Sequence, residues 1–141
     1  MKFWDSSAIV PLLVKEASTE SLLKMLEGDQ QLLVWWGTPV ECTSALARRE
    51  REGSMPADQT TAAIERLVSL ATAWDEVAPS VAVRSQARRL VRLHPLRAAD
   101  ALQLAAAVVA AEHEPASLEI VTLDERLRTA AEREGFHVIM P

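Results

Sequence analysis

The sequence predicts an α/β protein built on a central parallel sheet with helices over both faces. Three observations lead there. Short β-branched or aromatic runs alternate with longer segments of helical periodicity from one end of the chain to the other. Four of those runs are short and mainly apolar, as strands buried on both faces should be. No repeat, low-complexity tract or linker interrupts the 141 residues, so one domain over residues 1–141 is expected. A chain of this length buries roughly two-thirds of the surface its unfolded form exposes. Its 49% hydrophobic content suits such a core.

The first strand is read at "KFW", which runs into Asp5, and Ser6 and Ser7 open a helix directly after it. "STESLLKMLEG" follows as a helix with a Ser or Thr start and a Gly stop. "LLVWW" is the second strand and ends at Gly37. Thr38 and Pro39 then begin the helix "TPVECTSALARREREG", with Pro in the first turn where its missing N–H has no partner to lose. "PADQTTAAIERLVSLATAW" is the next helix, "DEVAP" a weaker strand and "SVAVRSQARRLVRL" another helix. The Ala-rich "LRAADALQLAAAVVAA" is helical, with Asp100 as its N-cap and Gln103 completing a capping box. "EIVTL" running into Asp124, then "DERLRTAAEREG" and "FHVIM", close the chain as strand, helix and strand.

Four carboxylates fall at helix starts in this layout: Asp5, Glu41, Asp100 and Asp124. Capping is the ordinary role for each alone, and Thr38–Glu41 and Thr122–Glu125 both read as capping boxes. Their joint placement says more. Strand-to-helix turns of an open parallel sheet share its carboxyl edge, where ligand sites form. Carboxylates gathered in one cleft repel each other and raise their pKa values unless a cation intervenes. Hard carboxylate oxygens suit Mg²⁺ or Mn²⁺.

Composition narrows the function. A net charge of −5 argues against a general polyanion binder, yet no acidic residue occurs from Val77 to Ala99. Arg84, Arg88, Arg89, Arg92 and Arg97 all fall in that stretch, and Arg84, Arg88 and Arg92 recur at four-residue steps on one helical face. That stripe is read either as a solvated face or as a local RNA contact, with Arg97 beside it. The single cysteine, Cys42, excludes a disulfide framework and reads as a small buried residue. His94, His113 and His137 lack ligand-like spacing, and Ser6 and Ser7 have no histidine motif beside them, so histidine and triad chemistry are not expected. Trp35 and Trp36 should point to opposite sheet faces, leaving at most a minority of the four tryptophans to meet RNA. Asp5 breaks any signal-peptide core and no apolar run approaches a membrane span, so a soluble, cytoplasmic protein with no membrane partner is expected.

"FWDSSAIVPLL", "TPVECTSAL", "LRAADALQLAAA" and "VTLDERLRTAAEREGF" resemble, in order, the four acidic motifs of PIN-domain ribonucleases, and most of all VapC-type toxins of toxin–antitoxin pairs. The resemblance spans nearly the whole chain. It implies a three-layer α/β/α domain and a divalent-metal site, with Mg²⁺ or Mn²⁺ as cofactor. It carries over Asp5, Glu41, Asp100 and Asp124 as the acidic set, with Asp5 and Asp100 as central ligands and Ser6 and Thr122 as neighbouring hydrogen-bonders. It also implies a homodimer, an RNA substrate and a cognate antitoxin that inhibits in trans.

On this reading Asp5 and Asp100 serve a first metal, Asp124 serves metal or water, and Glu41 serves a second metal or its water shell. In-line attack by water would leave a 5′-phosphate and a 3′-hydroxyl. Two other classes stand beside it. A phosphohydrolase working through an aspartyl-phosphate at Asp5 would want a second Asp two residues on, where Ser7 stands. A non-catalytic α/β binding module would use the four acids only as caps.

Overall fold

The computed structural model describes residues 1–141. Five short strands, β1 (Lys2–Trp4), β2 (Leu32–Trp35), β3 (Asp75–Val77), β4 (Glu119–Val121) and β5 (His137–Ile139), form one sheet of order β3-β2-β1-β4-β5. Every pairing is parallel, with Phe3 opposite Leu33 on one side and Ile120 on the other. The helices are α1 (Ser6–Leu13), α2 (Thr19–Gly28), α3 (Thr38–Arg51), α4 (Ala57–Ala71), α5 (Val81–Leu93), α6 (Ala98–Ala110) and α7 (Glu125–Arg133). "DEVAP" does supply a strand, and it is the more exposed of the sheet's two edges.

Strand alternation divides the core into two layers. Phe3, Leu33, Trp35 and Ile120 face one way and pack with Leu90 of α5, Leu104 of α6 and Leu127 of α7. Trp4, Leu32, Val34 and Val121 face the other way, against Ile9 of α1, Leu22 of α2, Leu46 of α3 and Leu67 of α4. The split follows from chain direction. Parallel crossovers are right-handed, so stepping from β1 to β2 to β3 puts α1–α4 on one face. Returning across the sheet to β4 and on to β5 puts α5–α7 on the other. The fold is therefore the three-layer α/β/α arrangement.

Gly53 and Gly135 take φ values of +79° and +97° just past the ends of α3 and α7, the left-handed turn that a side chain resists. β2 stops at Trp35, which is buried, and Trp36 beyond it is 55% exposed. Trp4 and Trp74 are buried as well, so Trp36 alone presents an indole to solvent.

The expected capping boxes do not form. Gly37 is the N-cap of α3, and Thr38 is buried inside the helix. Arg97 is the N-cap of α6, so Asp100 is its third residue and not its cap. Leu96 packs against the core and Ala98 and Ala99 favour helix, so the chain turns helical before it reaches Asp100. Glu125 bonds Arg128 on its own helix and does not reach back to Thr122. Asp124 does cap α7, accepting from the backbone N–H groups of Arg126 and Leu127.

Candidate functional site

The order β3-β2-β1-β4-β5 reverses direction between β1 and β4, and at such a switch point the crossovers leave to opposite faces and open a crevice. Asp5 and Thr122 sit at its floor. The Asp5 backbone N–H donates to the Val121 carbonyl at 3.0 Å, and that of Thr122 to Ile139 at 3.2 Å, so sheet pairing holds both in register. Above them is a cleft of about 420 Å³ whose lining includes Asp5, Glu41, Asp100 and Asp124. Four carboxylates between 5 and 124 in sequence, carried by four separate elements, share one cavity.

Asp5 is only 3% exposed. It is also the N-cap of α1, its Oδ2 accepting from the Ser7 N–H. That same oxygen accepts from the hydroxyls of Ser7 and Thr122, at 2.5 and 2.9 Å. Each hydroxyl in turn accepts a backbone N–H, Ser7 Oγ from Leu123 at 2.9 Å and Thr122 Oγ1 from Asp124 at 3.0 Å. The loop after β4 is thereby tied to the carboxylate after β1. Ser6 donates to Glu41 Oε1 at 3.2 Å and lies 3.4 Å from Asp5 Oδ1, linking those two acids.

Glu41 takes a second bond on Oε2, at 2.9 Å, from the amide of Gln103. Gln103 was expected to bond back to its own helix start. It is fully buried instead and reaches across to α3. Ser7, Ser44 and Arg48 are site residues that sequence patterning did not place here, and Gln103 was read only as part of a capping box. Ser44 and Arg48 follow Glu41 at three and seven residues, the spacing of one helical face, so periodicity alone could have found them. Ser7 carried no helical-face signal; besides Asp5 two residues back, its partners Thr122 and Leu123 lie more than a hundred residues away.

The electrostatics are those of an acidic cluster with no ion-paired counter-charge. Burial pushes the Asp5 carboxyl up, the Ser7 and Thr122 bonds hold it partly down, and the charge of Asp124 adds to the rise. Burial also lifts Glu41 to about 7, against the Gln103 bond and with the charge of Asp5. Asp100 is raised by burial and by Asp124, with Arg97 and Arg126 opposing. None of the four acids is in an ion pair.

An oxygen-only donor set under mutual repulsion fits a small hard divalent cation, which would relieve every one of these shifts. No three His, Cys, Asp or Glu side chains are already closed into a ligand shell, so the carboxylates would have to draw together around an ion. Cys42, buried and pushed up to about 12, cannot serve as a nucleophile beside them.

The arginines divide. Arg89 is committed to Glu134, which also bonds His94 at 2.8 Å, and these contacts tie α5 to α7. Arg84, Arg88 and Arg92 are exposed and have no acidic partner. Arg97 stands at the start of α6 beside Asp100.

A three-layer fold with four carboxylates gathered in a cleft at its switch point defines this class of α/β protein. The chain belongs to the PIN-domain family, whose model matches residues 2–133. No curated protein sequence matches it. Among solved structures it is similar to FitAcB from Neisseria gonorrhoeae, with TM-score 0.67, 18% identity, and 99% of this chain and 96% of that chain covered. VapBC2 from Rickettsia felis, bound to a DNA fragment from its promoter, gives TM-score 0.66 at 12% identity over 99% and 97% of the two chains. A toxin–antitoxin complex from Klebsiella pneumoniae gives 0.62 at 15% identity over 88% and 87%. At these identities the likeness is one of fold. No helix is long and apolar enough to cross a membrane.

Proposed function

We propose that this protein is a divalent-metal-dependent endoribonuclease acting as the toxin of a toxin–antitoxin pair. One observation carries the reading: Asp5, Glu41, Asp100 and Asp124 line a single cleft with no ion-paired cation among them. PIN domains are typically nucleases, and the similar folds named above include toxin–antitoxin complexes.

Asp5 and Asp100 would hold a first Mg²⁺ or Mn²⁺, with Asp124 on metal or water and Glu41 on a second ion or its water shell. The bound ion would supply an activated water and neutralise charge on the phosphoryl oxygens. The protein's own groups do the rest. Ser7 and Thr122 aim Asp5 and favour its ionised form, since both donate to it. Arg48, on the cleft wall, is placed to meet a phosphate of the entering strand. Arg84, Arg88, Arg92 and Arg97 extend the positive surface for RNA outside the cleft. Inhibition in trans would come from an antitoxin placing a basic side chain among the four acids, competing with the metal, and the toxin would be a homodimer.

The test is cleavage of total RNA by purified protein with Mg²⁺ or Mn²⁺, beside Asp5→Asn and Asp100→Asn. Each substitution keeps shape but removes a ligand oxygen, and should reduce cleavage by several orders of magnitude. Undiminished cleavage by both variants would overturn the assignment. Hydrolysis of phosphomonoesters without cleavage of RNA would favour the aspartyl-phosphate chemistry instead.

A further inference from the structure

Gln103 is an anomaly in α6. It is 0% exposed in a helix segment otherwise made of Ala, Leu and Val, next to Leu104, Ala105 and Ala106 of the core. Its two amide hydrogens are both used, donating to Glu41 Oε2 at 2.9 Å and to Thr38 Oγ1 at 3.1 Å. Its carbonyl Oε1 is buried with no partner at all. The reverse orientation would set that carbonyl against the Glu41 carboxylate, so repulsion fixes which way the amide faces.

An unpaired buried acceptor is a net loss to stability, and an apolar side chain of equal length would avoid it. Packing does not explain this residue. Glu41 does. Its Oε2 is held from below by Gln103 and its Oε1 from the side by Ser6. Gln103 also follows Asp100 by three residues, on the same side of α6. One helix thus carries one cleft acid directly and clamps a second that belongs to α3.

We propose that Gln103 is a positioning residue: its amide fixes Glu41 in the orientation in which that carboxylate serves the cation site. The inference rests on the metal-dependent reading above. Such an outer partner typically governs metal affinity by 10- to 100-fold, because a free carboxylate must be ordered each time the ion binds.

The experiment is calorimetric titration of the purified protein with Mn²⁺, alongside thermal denaturation in EDTA and RNA cleavage as a function of Mn²⁺. Gln103→Met should weaken Mn²⁺ binding at least tenfold while the protein stays folded in EDTA, its thermal midpoint lowered only by the loss of the two donated bonds. Half-saturating Mn²⁺ for cleavage should rise equally, with KM for RNA unchanged. Gln103→His should restore affinity, since an imidazole Nε2–H reaches to a similar depth as the amide nitrogen. In a Glu41→Gln background, Gln103→Met should have no further effect.

Wild-type affinity in Gln103→Met overturns the inference. So does a loss that persists in full in the Glu41→Gln background, or one that tracks falling metal-free stability and is not rescued by His. Wild-type protein that binds no Mn²⁺ overturns the metal-dependent reading itself, and this inference with it, and is told apart by the wild-type titration alone.

Discussion

Replacing Glu41 with Gln should make the metal-free protein more stable at alkaline pH and leave it unchanged at acid pH. Glu41 rises from an ordinary 4.5 to about 7 in the folded protein. A tenfold change in a protonation equilibrium is worth about 1.4 kcal/mol, so the ionised side chain carries an excess on the order of 3 kcal/mol. Water reaches Glu41 from the open side of the cleft, and halving the figure for that screening leaves about 1.5 kcal/mol. Because the folded pKa lies above the unfolded one, the stability linked to this group is full below pH 4.5. It is lost as the pH rises towards 7 and stays lost above it.

The amide of Glu41→Gln never ionises, while its carbonyl can still accept from Gln103. In EDTA at pH 8 the variant should therefore melt roughly 5 °C above wild type. At pH 4.5 the two curves should coincide, and titrating groups remote from Glu41 cancel in the comparison. Circular dichroism melts at four or five pH values suffice. A gap that is absent at pH 8, or that has the same size at every pH, would refute the argument that Glu41 is strained by burial and by Asp5.

Ser7→Ala removes a donor to Asp5 and the acceptor for the Leu123 N–H, so urea denaturation should show a loss of about 1–2 kcal/mol. Cleavage by that variant should fall too, with its acid limb moved to higher pH, because Ser7 is a bond that holds the Asp5 carboxyl down. Replacing Arg84, Arg88 and Arg92 together with Gln, in an Asp5→Asn background that cannot cleave, should weaken RNA binding in fluorescence anisotropy. At about 0.7 per phosphate contact for single strands, the slope of log affinity against log salt should flatten by about 2. An unchanged slope would make the stripe a solvated face. Expression of the chain alone should arrest growth and the Asp5→Ala variant should not. A harmless wild-type chain in confirmed soluble form would count against the toxin reading.

Much of this molecule was legible in its residues because burial on both faces leaves a plain mark. "LLVW" is apolar without alternation, "KFW" and "EIV" are so after a charged first residue, and a parallel sheet covered by helices on both faces accommodates such runs in sequence with helices. The carboxylates after two of those runs had to lie at the sheet's carboxyl edge, since parallel strands all end there. That Asp5 meets Asp124 specifically depended on β1 pairing with β4, a choice made by long-range packing.

Capping was where local reasoning failed. Asp100 and Gln103 carry the residue types and spacing of a capping box, but Leu96, partly buried against the core, starts α6 early and turns both side chains elsewhere. A capping signal concerns one turn of chain, and tertiary packing decides where that turn falls. The same holds for Ser7 and Thr122: each stands two residues from a site acid, but nothing nearby says that the two hydroxyls meet. Ser7 reaches Asp5 from two residues away, but only the bonds joining Thr122 to Asp5 and to Ser7 across more than a hundred positions turn the two hydroxyls into one support for that carboxylate. The sequence by itself determined that acids would gather on one edge, because strand direction and helix starts are local properties. Which hydroxyl and which amide hold each acid was decided by the tertiary structure, because a hydrogen bond depends on distance in space and not on distance along the chain.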